Sequence, residues 1–572
     1  MNRIFILFMV MTFSLTSMAQ KKSKKSKKSN KNRVEVDIAG SIRNFNVIPL
    51  DKEGVLLIYQ KDKTEYTVIK YSTAMKKVYT TEISVNKNEE LVDHAVHNGN
   101  TYMLFAKSNT GSGVTSQKTF SVSKKFKEYN LIVMDNETKK QTTISGKFNK
   151  QFAMDKMIID DEIIVMLGNS SITSFNQSAR TCFSIMFCYI PALFGSINFQ
   201  NWPVIHTINQ KTKDATTEYL TFNKRKRAQL LSGQVNTENN TGDMLVKCQL
   251  TRKKYATYVK PMTYTSKGLE IGNEWEMNVE EGKEIATCIF NTISEKEKVL
   301  IGSYGSTNRK IKVRGLSALV EPEGVFISKL NAKKQQYMKY YGFADFKPYK
   351  TQFLGKSAQK KLDKSKGKGK NATVGRYILF HNLVETEDQF IMTGETYYPT
   401  YHTEVYYTYV NGRMQRNYRT VFDGFLYEAG LVAGFTKDGK LKWSDAFALP
   451  WHRTFNLADR VIKIATSGDD LTFSVCVGGV IVTRYLKDEH LSKSEVDAVL
   501  TKTKKGEYEI NLSTNANYWY EGFYIAYGTA EKGSHDTKYD EKKDSKTVIF
   551  LQKIEMSKAK DEDNEEDEDD EE

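Results

Sequence analysis

Residues 53–60 read EGVLLIYQ, and this short pattern decides the fold because it recurs along the chain. Each time, a turn residue or an acidic residue precedes an almost unbroken run of apolar and β-branched side chains. The other seven occurrences are GNTYMLFA (99–106), DEIIVMLG (161–168), GDMLVKCQL (242–250), EKVLIGSYG (297–305), DQFIMTGE (388–395), DDLTFSVCV (469–477) and EGFYIAYG (521–528). Such runs predict strands that are buried on one or both faces.

A second strand, a short polar turn and a third strand usually follow each run, as in LVAGFTKDGKLKWSDAF (431–447). Asn136, Asn331 and the pair Asp438-Gly439 are residue types that suit tight hairpins. Successive groups of antiparallel strands, none able to bury its own faces, indicate a β-propeller. We therefore predict an all-β chain with a single seven- or eight-bladed β-propeller over residues 34–556. Two β-domains divided near residues 355–375 are the alternative.

The stretch TKDGKLKWSDAF (436–447) resembles the hairpins of many exported bacterial β-propeller proteins. The resemblance covers one hairpin per blade and implies the propeller class and export, without indicating a particular family. The Lys-, Asn- and Tyr-rich composition and the leader ending in MAQ are similar to those of exported Bacteroidota proteins.

The amino terminus has the pattern of a secretory signal peptide over residues 1–19. Its apolar run, Ile4–Phe13, is too short to span a bilayer but has the length of a signal-peptide core. Ser17 and Ala19 place small residues before a cleavage site at Gln20. The sequence therefore predicts an exported, periplasmic or envelope-associated protein with no transmembrane segment after cleavage. An uncleaved anchor is the alternative, because lysines follow the apolar run.

Charge is concentrated at the two ends of the chain. Residues 20–33 are predicted to form a disordered basic arm, with eight positive charges between Lys21 and Arg33. Residues 557–572 are predicted to form a disordered acidic tail, with eleven negative charges from Asp561 to Glu572. The arm could bind an anionic surface or another polyanion, whereas a nucleic-acid partner is not expected for an exported protein. A third polar segment, 355–375, is predicted to be a disordered insertion.

No catalytic residue, metal site or cofactor is predicted. The five cysteines are widely spaced and lack a CxxC pair, so they are interpreted as buried apolar residues. Asp93, His94 and His97 lie close together in sequence, but without a supporting motif they are interpreted as exposed loop residues rather than metal ligands.

The best candidate for a binding site is a Tyr- and Arg-rich segment between residues 394 and 430. These residue types dominate the binding energy of interfaces, because they bury a large area and keep a polar group. The candidate ligand- or partner-binding residues are Tyr397, Tyr398, Tyr401, His402, Tyr407, Arg413, Arg416 and Trp451. The alternative is a long hairpin whose tyrosines pack against a neighbouring blade.

These features predict an exported scaffold that binds a protein, glycan or other ligand at the cell envelope. An envelope hydrolase or lyase that acts on glycan or peptide at the propeller face is one alternative. A polyanion binder that uses the arm Lys21–Arg33 is another. An enzyme would require titratable residues that converge in a pocket, whereas a scaffold would require a broad aromatic and basic face.

Overall fold

The computed structural model describes residues 32–37, 44–107, 125–172, 200–220, 227–236, 239–250, 254–265, 268–294, 296–307, 320–410, 413–449, 453–454, 460–467, 470–477, 480–492, 495–499, 507–535 and 542–555. The predicted signal peptide, the acidic tail, most of the basic arm, Cys182, Cys188 and Trp451 lie outside these residues. Within them, the predicted all-β class is confirmed, because strands form seven antiparallel sheets.

The first two sheets contain eleven strands. The first sheet consists of β2 (Phe45–Pro49), β3 (Val55–Gln60), β4 (Glu65–Tyr71) and β5 (Lys77–Ser84). The second consists of β6 (Glu90–His97), β7 (Asn100–Ala106), β8 (Lys125–Asp135), β9 (Gln141–Ile159), β10 (Ile163–Ile172), β11 (Gln200–Asn209) and β12 (Ala215–Tyr219). A short 3-10 helix, Asp51–Glu53, connects β2 with β3.

The next two sheets contain nine strands and are followed by two helices. The third sheet consists of β13 (Arg227–Asn236), β14 (Thr241–Gln249), β15 (Tyr255–Thr265), β16 (Gly268–Ile271) and β17 (Trp275–Glu276). The fourth consists of β18 (Lys283–Thr292), β19 (Glu297–Ser306), β20 (Gly324–Asn331) and β21 (Lys334–Gly342). Helices α1 (Lys347–Phe353) and α2 (Lys356–Lys366) come next.

The last three sheets contain the remaining strands. The fifth consists of β22 (Tyr377–Phe380), β23 (Val384–Glu385), β24 (Gln389–Val410), β25 (Arg413–Thr436), β26 (Leu441–Ala448) and β27 (Arg453–Thr454). The sixth consists of β28 (Ile462–Ser467), β29 (Asp470–Val477), β30 (Val480–Lys487), β31 (His490–Leu491) and β32 (Glu495–Val499). The seventh consists of β33 (Glu507–Tyr520), β34 (Phe523–His535), β35 (Lys542–Glu555) and β1 (Arg33–Asp37).

The seven-stranded sheet is two four-stranded units that share β9. The first half of β9, through Lys147, pairs mainly with β8, whereas residues from Phe152 to Ile159 pair with β10. The two halves of the sheet face each other, because Tyr129 Oη on β8 lies 2.6 Å from His206 Nε2 on β11. The strands thus form eight units, numbered 1 to 8 along the chain: β2–β5, β6–β9, β9–β12, β13–β17, β18–β21, β22–β27, β28–β32, and β33–β35 with β1.

The eight recurring apolar stretches lie on the second strand of each unit, namely β3, β7, β10, β14, β19, β24, β29 and β34. In β3, alternate side chains point to opposite faces of the sheet. Leu56 and Ile58 pack with Met103 and Phe105 of unit 2. Val55 and Leu57 pack against unit 8. The run is continuously apolar because neighbouring units cover both of its faces.

Hydrophobic clusters connect every unit with the next. Six further clusters join units 2 with 3, 3 with 4, 4 with 5, 5 with 6, 6 with 7, and 7 with 8. Unit 8 then packs on unit 1, where Ile549 and Leu551 of β35 join Val55 and Leu57. Burying a side chain of this size stabilises the fold by about 1.5–3 kcal/mol, so a unit depends on both of its neighbours.

The N-terminal strand completes the C-terminal sheet. β1 pairs antiparallel with β35, placing Val34 opposite Leu551 and Val36 opposite Ile549. Arg33 is part of this strand, so its assignment to the disordered arm is wrong. Its guanidinium forms an ion pair with Glu509, whose side chain is 1% exposed, and its Nη2 lies 2.5 Å from Glu509 Oε1. A buried partner across the sheet fixes Arg33 in the strand.

The segment 355–375 is not wholly a disordered insertion, which corrects the sequence-based prediction. Residues 356–366 form α2, with Leu362 buried and Ala358 half-buried one turn earlier. Lys361 Nζ donates to the carbonyl of Thr373 at 2.6 Å. Spacing of i and i+4 puts both apolar residues on one helical face, which packs between units 5 and 6. Among the described residues, no helix is long and apolar enough to cross a membrane.

Replacing Leu362 with alanine is expected to lower the free energy of unfolding by about 2–4 kcal/mol, because it leaves a cavity in this cluster. Lys364→Ala on the exposed side of α2 is the matched control and should leave stability unchanged. Thermal unfolding of both variants measures the difference. Equal melting temperatures for Leu362→Ala and the unaltered chain would mean that α2 does not pack on the sheets.

Candidate functional site

The Tyr-rich segment forms a two-stranded ribbon that extends past the rest of its sheet. β24 and β25 pair from Gln389 and Thr436 to Val410 and Arg413, whereas β22 and β26 border only the part near the body. The ribbon, residues 401–422, contains ten residue pairs and is therefore about 30 Å long. Asn411-Gly412, a dipeptide typical of tight hairpins, connects its strands in sequence.

Large apolar side chains are concentrated on this ribbon. It carries seven of the ten exposed large apolar side chains among the described residues, namely Tyr401, Val405, Tyr406, Tyr407, Tyr409, Met414 and Tyr418. Tyr409 is 76% exposed and Tyr418 is 62% exposed. Folded proteins rarely expose apolar side chains in such a concentration without a partner for them.

The two faces of the ribbon differ in chemistry. Strand alternation and register place most of the exposed apolar side chains on the aromatic face, made up of Tyr401, Val405, Tyr407, Tyr409, Met414, Arg416 and Tyr418. Arg416 contributes a cation there, with its guanidinium 5.2 Å from the centre of the Tyr418 ring. His402, Glu404, Tyr406, Arg413 and Arg419 lie on the opposite, polar face.

Charged side chains of the polar face bond largely to one another. Arg419 Nε donates to Glu404 Oε2 at 2.6 Å, and His402 contacts both Asp423 and Glu404. Hydrogen bonds to Asp423 and then to Glu404 raise the pKa of the His402 imidazole. His402 is therefore held in an ion-pair network at the base of the ribbon.

The remaining predicted site residues lie nearer the body of the sheet. Tyr397 is buried and stacks on Tyr377, with ring centres 5.6 Å apart. Tyr398 is half-buried, and the Arg376 guanidinium lies 4.0 Å from its ring centre. The structure thus separates the predicted set into packed tyrosines (397 and 398) and ribbon residues (401, 402, 407, 413 and 416).

A second candidate site, which the sequence does not predict, is an inner cavity of about 870 Å³. It is lined by the first strands of units 1, 2, 7 and 8, by Arg460 just before the first strand of unit 7, by the residues that follow the first strand of unit 6, and by part of β34. The lining residues are Phe45–Val47, His94, His381–Val384, Arg460, Ile462–Ile464, Thr466, Ser513–Asn515, Asn517, Tyr518, Tyr527 and Gly528. Because these segments are far apart in sequence, no local motif could predict the cavity.

Glu395 holds the wall of this cavity together. Its buried carboxylate accepts the backbone N–H groups of Val461 at 3.0 Å and Ile462 at 2.8 Å. His381 Nε2 lies 2.8 Å from the same carboxylate. Glu395 is on unit 6 and the two amides are at the start of unit 7, so one side chain connects the units and positions the chain beside Arg460.

Arg460 is the cation best placed to receive a ligand in the cavity. Its Nε donates to the carbonyl of Phe380 at 3.0 Å, which fixes the plane of the guanidinium. Burial lowers the pKa of Arg460, while the charges of Glu395 and Asp155 raise it. Within the described residues, no carboxylate lies within ion-pair distance of Arg460, so its two terminal nitrogens remain available.

Asp93, His94 and His97 all lie on strand β6, so their interpretation as loop residues is wrong. The backbone N–H of His94 donates to Asp93 Oδ1 at 2.9 Å. Burial raises the pKa of the Asp93 carboxyl to about 6, and it lowers the pKa of His94. Burial therefore disfavours the charged form of both side chains.

Asp93→Asn is expected to change the pH dependence of stability. A carboxyl whose pKa is raised on folding contributes stability below pH 3.8, and that contribution is lost as the pH rises through about 6. The unaltered chain should therefore lose about 1–3 kcal/mol relative to Asp93→Asn between these pH values. Thermal unfolding of both chains across this range measures the difference, and parallel curves would contradict it.

One group of described residues could hold a metal ion. His97, Asp160 and Asp161 each place a ligand atom within 4.8 Å of the others. His97 Nε2 also lies 2.7 Å from Asp161 Oδ1, so a hydrogen bond or ion pair explains the same geometry without a metal.

Comparisons with known proteins identify no family for this chain. No family model matches it, and no curated protein matches it. Among solved structures, an ACO/RPE65 chimera has a TM-score of 0.30 at 9% identity, covering 54% of this chain and 62% of the chimera. Cobalt-substituted Synechocystis ACO has a TM-score of 0.26 at 7% identity, covering 52% and 64%. The chain thus matches less than two thirds of either structure, and no assignment below rests on them.

Proposed function

We propose that this chain is a single eight-bladed β-propeller, exported to the cell envelope, that binds a protein partner through its ribbon. Eight units, each packed on the next, support the propeller. Further support comes from contact of unit 8 with unit 1 and from β1 in the last sheet. The signal-peptide pattern of residues 1–19 supports export and a periplasmic or envelope location.

One observation carries the binding function: the ribbon exposes an aromatic face that its own sheet leaves uncovered. Tyr407 is 57% exposed and is paired across the strands with Arg416, and Tyr409 is paired with Met414. Tyrosine offers a large amphipathic area with few rotatable bonds, so little conformational entropy is lost when it is buried. The ribbon presents these side chains from two paired strands rather than from an irregular loop.

The charge of the ribbon indicates the chemistry of the partner. Near the base of the ribbon, Glu404 pairs with Arg419 and Asp423 pairs with His402. Arg413 and Arg416 are exposed near its tip. A protein surface with acidic groups around shallow apolar pockets would complement both the aromatic side chains and the cations. We therefore favour an acidic protein surface over a glycan, for which the cations at the tip have no evident role unless the glycan is anionic.

A photo-crosslinking amino acid at position 409, expressed in the source cells, tests this proposal. Val78 is the matched control, because it is 57% exposed on β5, outside the ribbon. We expect a discrete protein adduct from position 409 that position 78 does not give. With that partner purified, Tyr407→Ser together with Tyr409→Ser should weaken binding about 100-fold and leave the melting temperature unchanged.

Two results would overturn the proposal. One is an adduct at position 409 that consists of carbohydrate, which would replace the protein assignment. The other is unchanged affinity of the purified partner for the double serine variant, which would remove the aromatic face from the interface.

A further inference from the structure

The inner cavity has the size and the polarity of a small-molecule site. Its volume of about 870 Å³ falls in the range typical of ligand pockets. Asparagines 46, 382, 515 and 517 contribute side chains that both donate and accept hydrogen bonds, and Ser513 and Thr514 contribute hydroxyls. Such a lining suits a ligand with many hydroxyl groups.

The charged lining residues of the cavity are cationic. Arg460 and Lys463 both line it, and no aspartate or glutamate lies among its lining residues. Two carboxylates outside the lining act on Arg460 through their charge: Asp155, and Glu395, which is already bonded to two backbone amides and His381. A guanidinium with two available nitrogens in a partly desolvated site binds a carboxylate through a pair of parallel hydrogen bonds.

Aromatic rings contribute the third feature. Phe45 and Tyr527 meet edge to face in the lining, with ring centres 6.2 Å apart, and Tyr518 lies on the same wall. The apolar face of a sugar ring can pack against such rings while its hydroxyls reach the asparagines. Cations, amides and aromatic rings thus line the same cavity.

We propose that the inner cavity binds an acidic sugar, with Arg460 holding the carboxylate and the asparagines holding the hydroxyls. This site is separate from the ribbon and does not depend on the protein partner. A free uronic acid and the end of a uronate-containing glycan present the same group to Arg460.

Calorimetric titration of the mature chain tests the proposal with four probes: galacturonate, digalacturonate, galactose and glucose 6-phosphate. We expect galacturonate or its dimer to bind at least 10-fold more tightly than galactose. Tighter binding of the dimer would indicate a glycan end, and equal binding would indicate a free sugar. Arg460→Gln should weaken binding about 100-fold and Arg460→Lys about 10-fold, because lysine keeps the charge and loses the paired geometry.

Lys440→Gln is the control for loss of a positive charge, because Lys440 is exposed in the turn between β25 and β26. Its affinity should equal that of the unaltered chain. If Arg460→Gln does not fold, Asn515→Ala, which keeps all charges, should still weaken galacturonate binding about 10-fold. Equal binding of galacturonate and galactose, no heat up to about 10 mM ligand, or selective binding of glucose 6-phosphate would each overturn the proposal.

Discussion

Glu395→Ala is expected to lower the free energy of unfolding by about 3–5 kcal/mol, a very large effect for one substitution. The carboxylate is fully buried and is the acceptor for two backbone N–H groups of unit 7. Alanine would leave those donors and His381 Nε2 without this acceptor, away from bulk water. The free-energy cost is large because buried donors on both unit 6 and unit 7 lose the same hydrogen-bond acceptor.

Urea unfolding, followed by tryptophan fluorescence, measures this effect. Glu387→Ala removes an exposed glutamate only eight positions earlier and should leave the unfolding midpoint unchanged. Glu395→Gln should lie between the two, because one amide oxygen can still accept from the backbone. An unfolding midpoint for Glu395→Ala equal to that of Glu387→Ala would show that unit 7 does not depend on this contact.

Arg33→Ala is expected to have an effect of similar size, about 3–5 kcal/mol, although Arg33 lies near the end of a basic sequence. Its guanidinium faces the buried Glu509 carboxylate at 2.5 Å and lies 4.6 Å from the Phe550 ring centre. Removing it leaves Lys532, at 3.4 Å, as a more distant partner for that carboxylate. The loss should therefore reflect a buried charge that is poorly compensated.

A double-mutant cycle separates this cause from lost packing. Glu509→Gln removes the buried charge, so adding it to Arg33→Ala should recover part of the lost stability. Lys532→Ala serves as a comparison because it removes the other cation near Glu509 and should cost less. Additive losses from Arg33→Ala and Glu509→Gln would contradict an ion pair that holds β1 in the last sheet.

Local patterns in the sequence were sufficient to predict the main strands, but they did not predict every boundary between ordered and disordered segments. EGVLLIYQ and its seven counterparts are recognisable because burial on both faces requires an unbroken apolar run. Arg33 was assigned to the arm because seven lysines lie just before it, and its buried partner is distant in sequence. The segment 355–375 looked disordered because lysine and glycine dominate it, although Ala358 and Leu362 have helical spacing.

The two candidate sites differ in how much of each could be predicted. The ribbon was found because its tyrosines lie close together in sequence. The sequence could not show which tyrosines of this segment are buried, as Tyr397 is. The inner cavity depends on five units meeting, so it leaves no single motif. Its one local signal is the polar run STNANY (513–518), which interrupts an otherwise strand-like segment. Sites assembled from distant segments become visible only once topology is known.

The central claim is that eight units close into one ring, and zero-length carbodiimide crosslinking tests it most directly. Asp37 and Lys546 form an exposed ion pair at 3.0 Å across 509 positions, and Lys52 forms one with Glu521 between units 1 and 8. We predict that both crosslinked peptides form within single chains, as shown by a mixture of isotopically labelled and unlabelled protein. The claim is contradicted if both are missing while Lys61 and Glu82, paired within unit 1, crosslink normally.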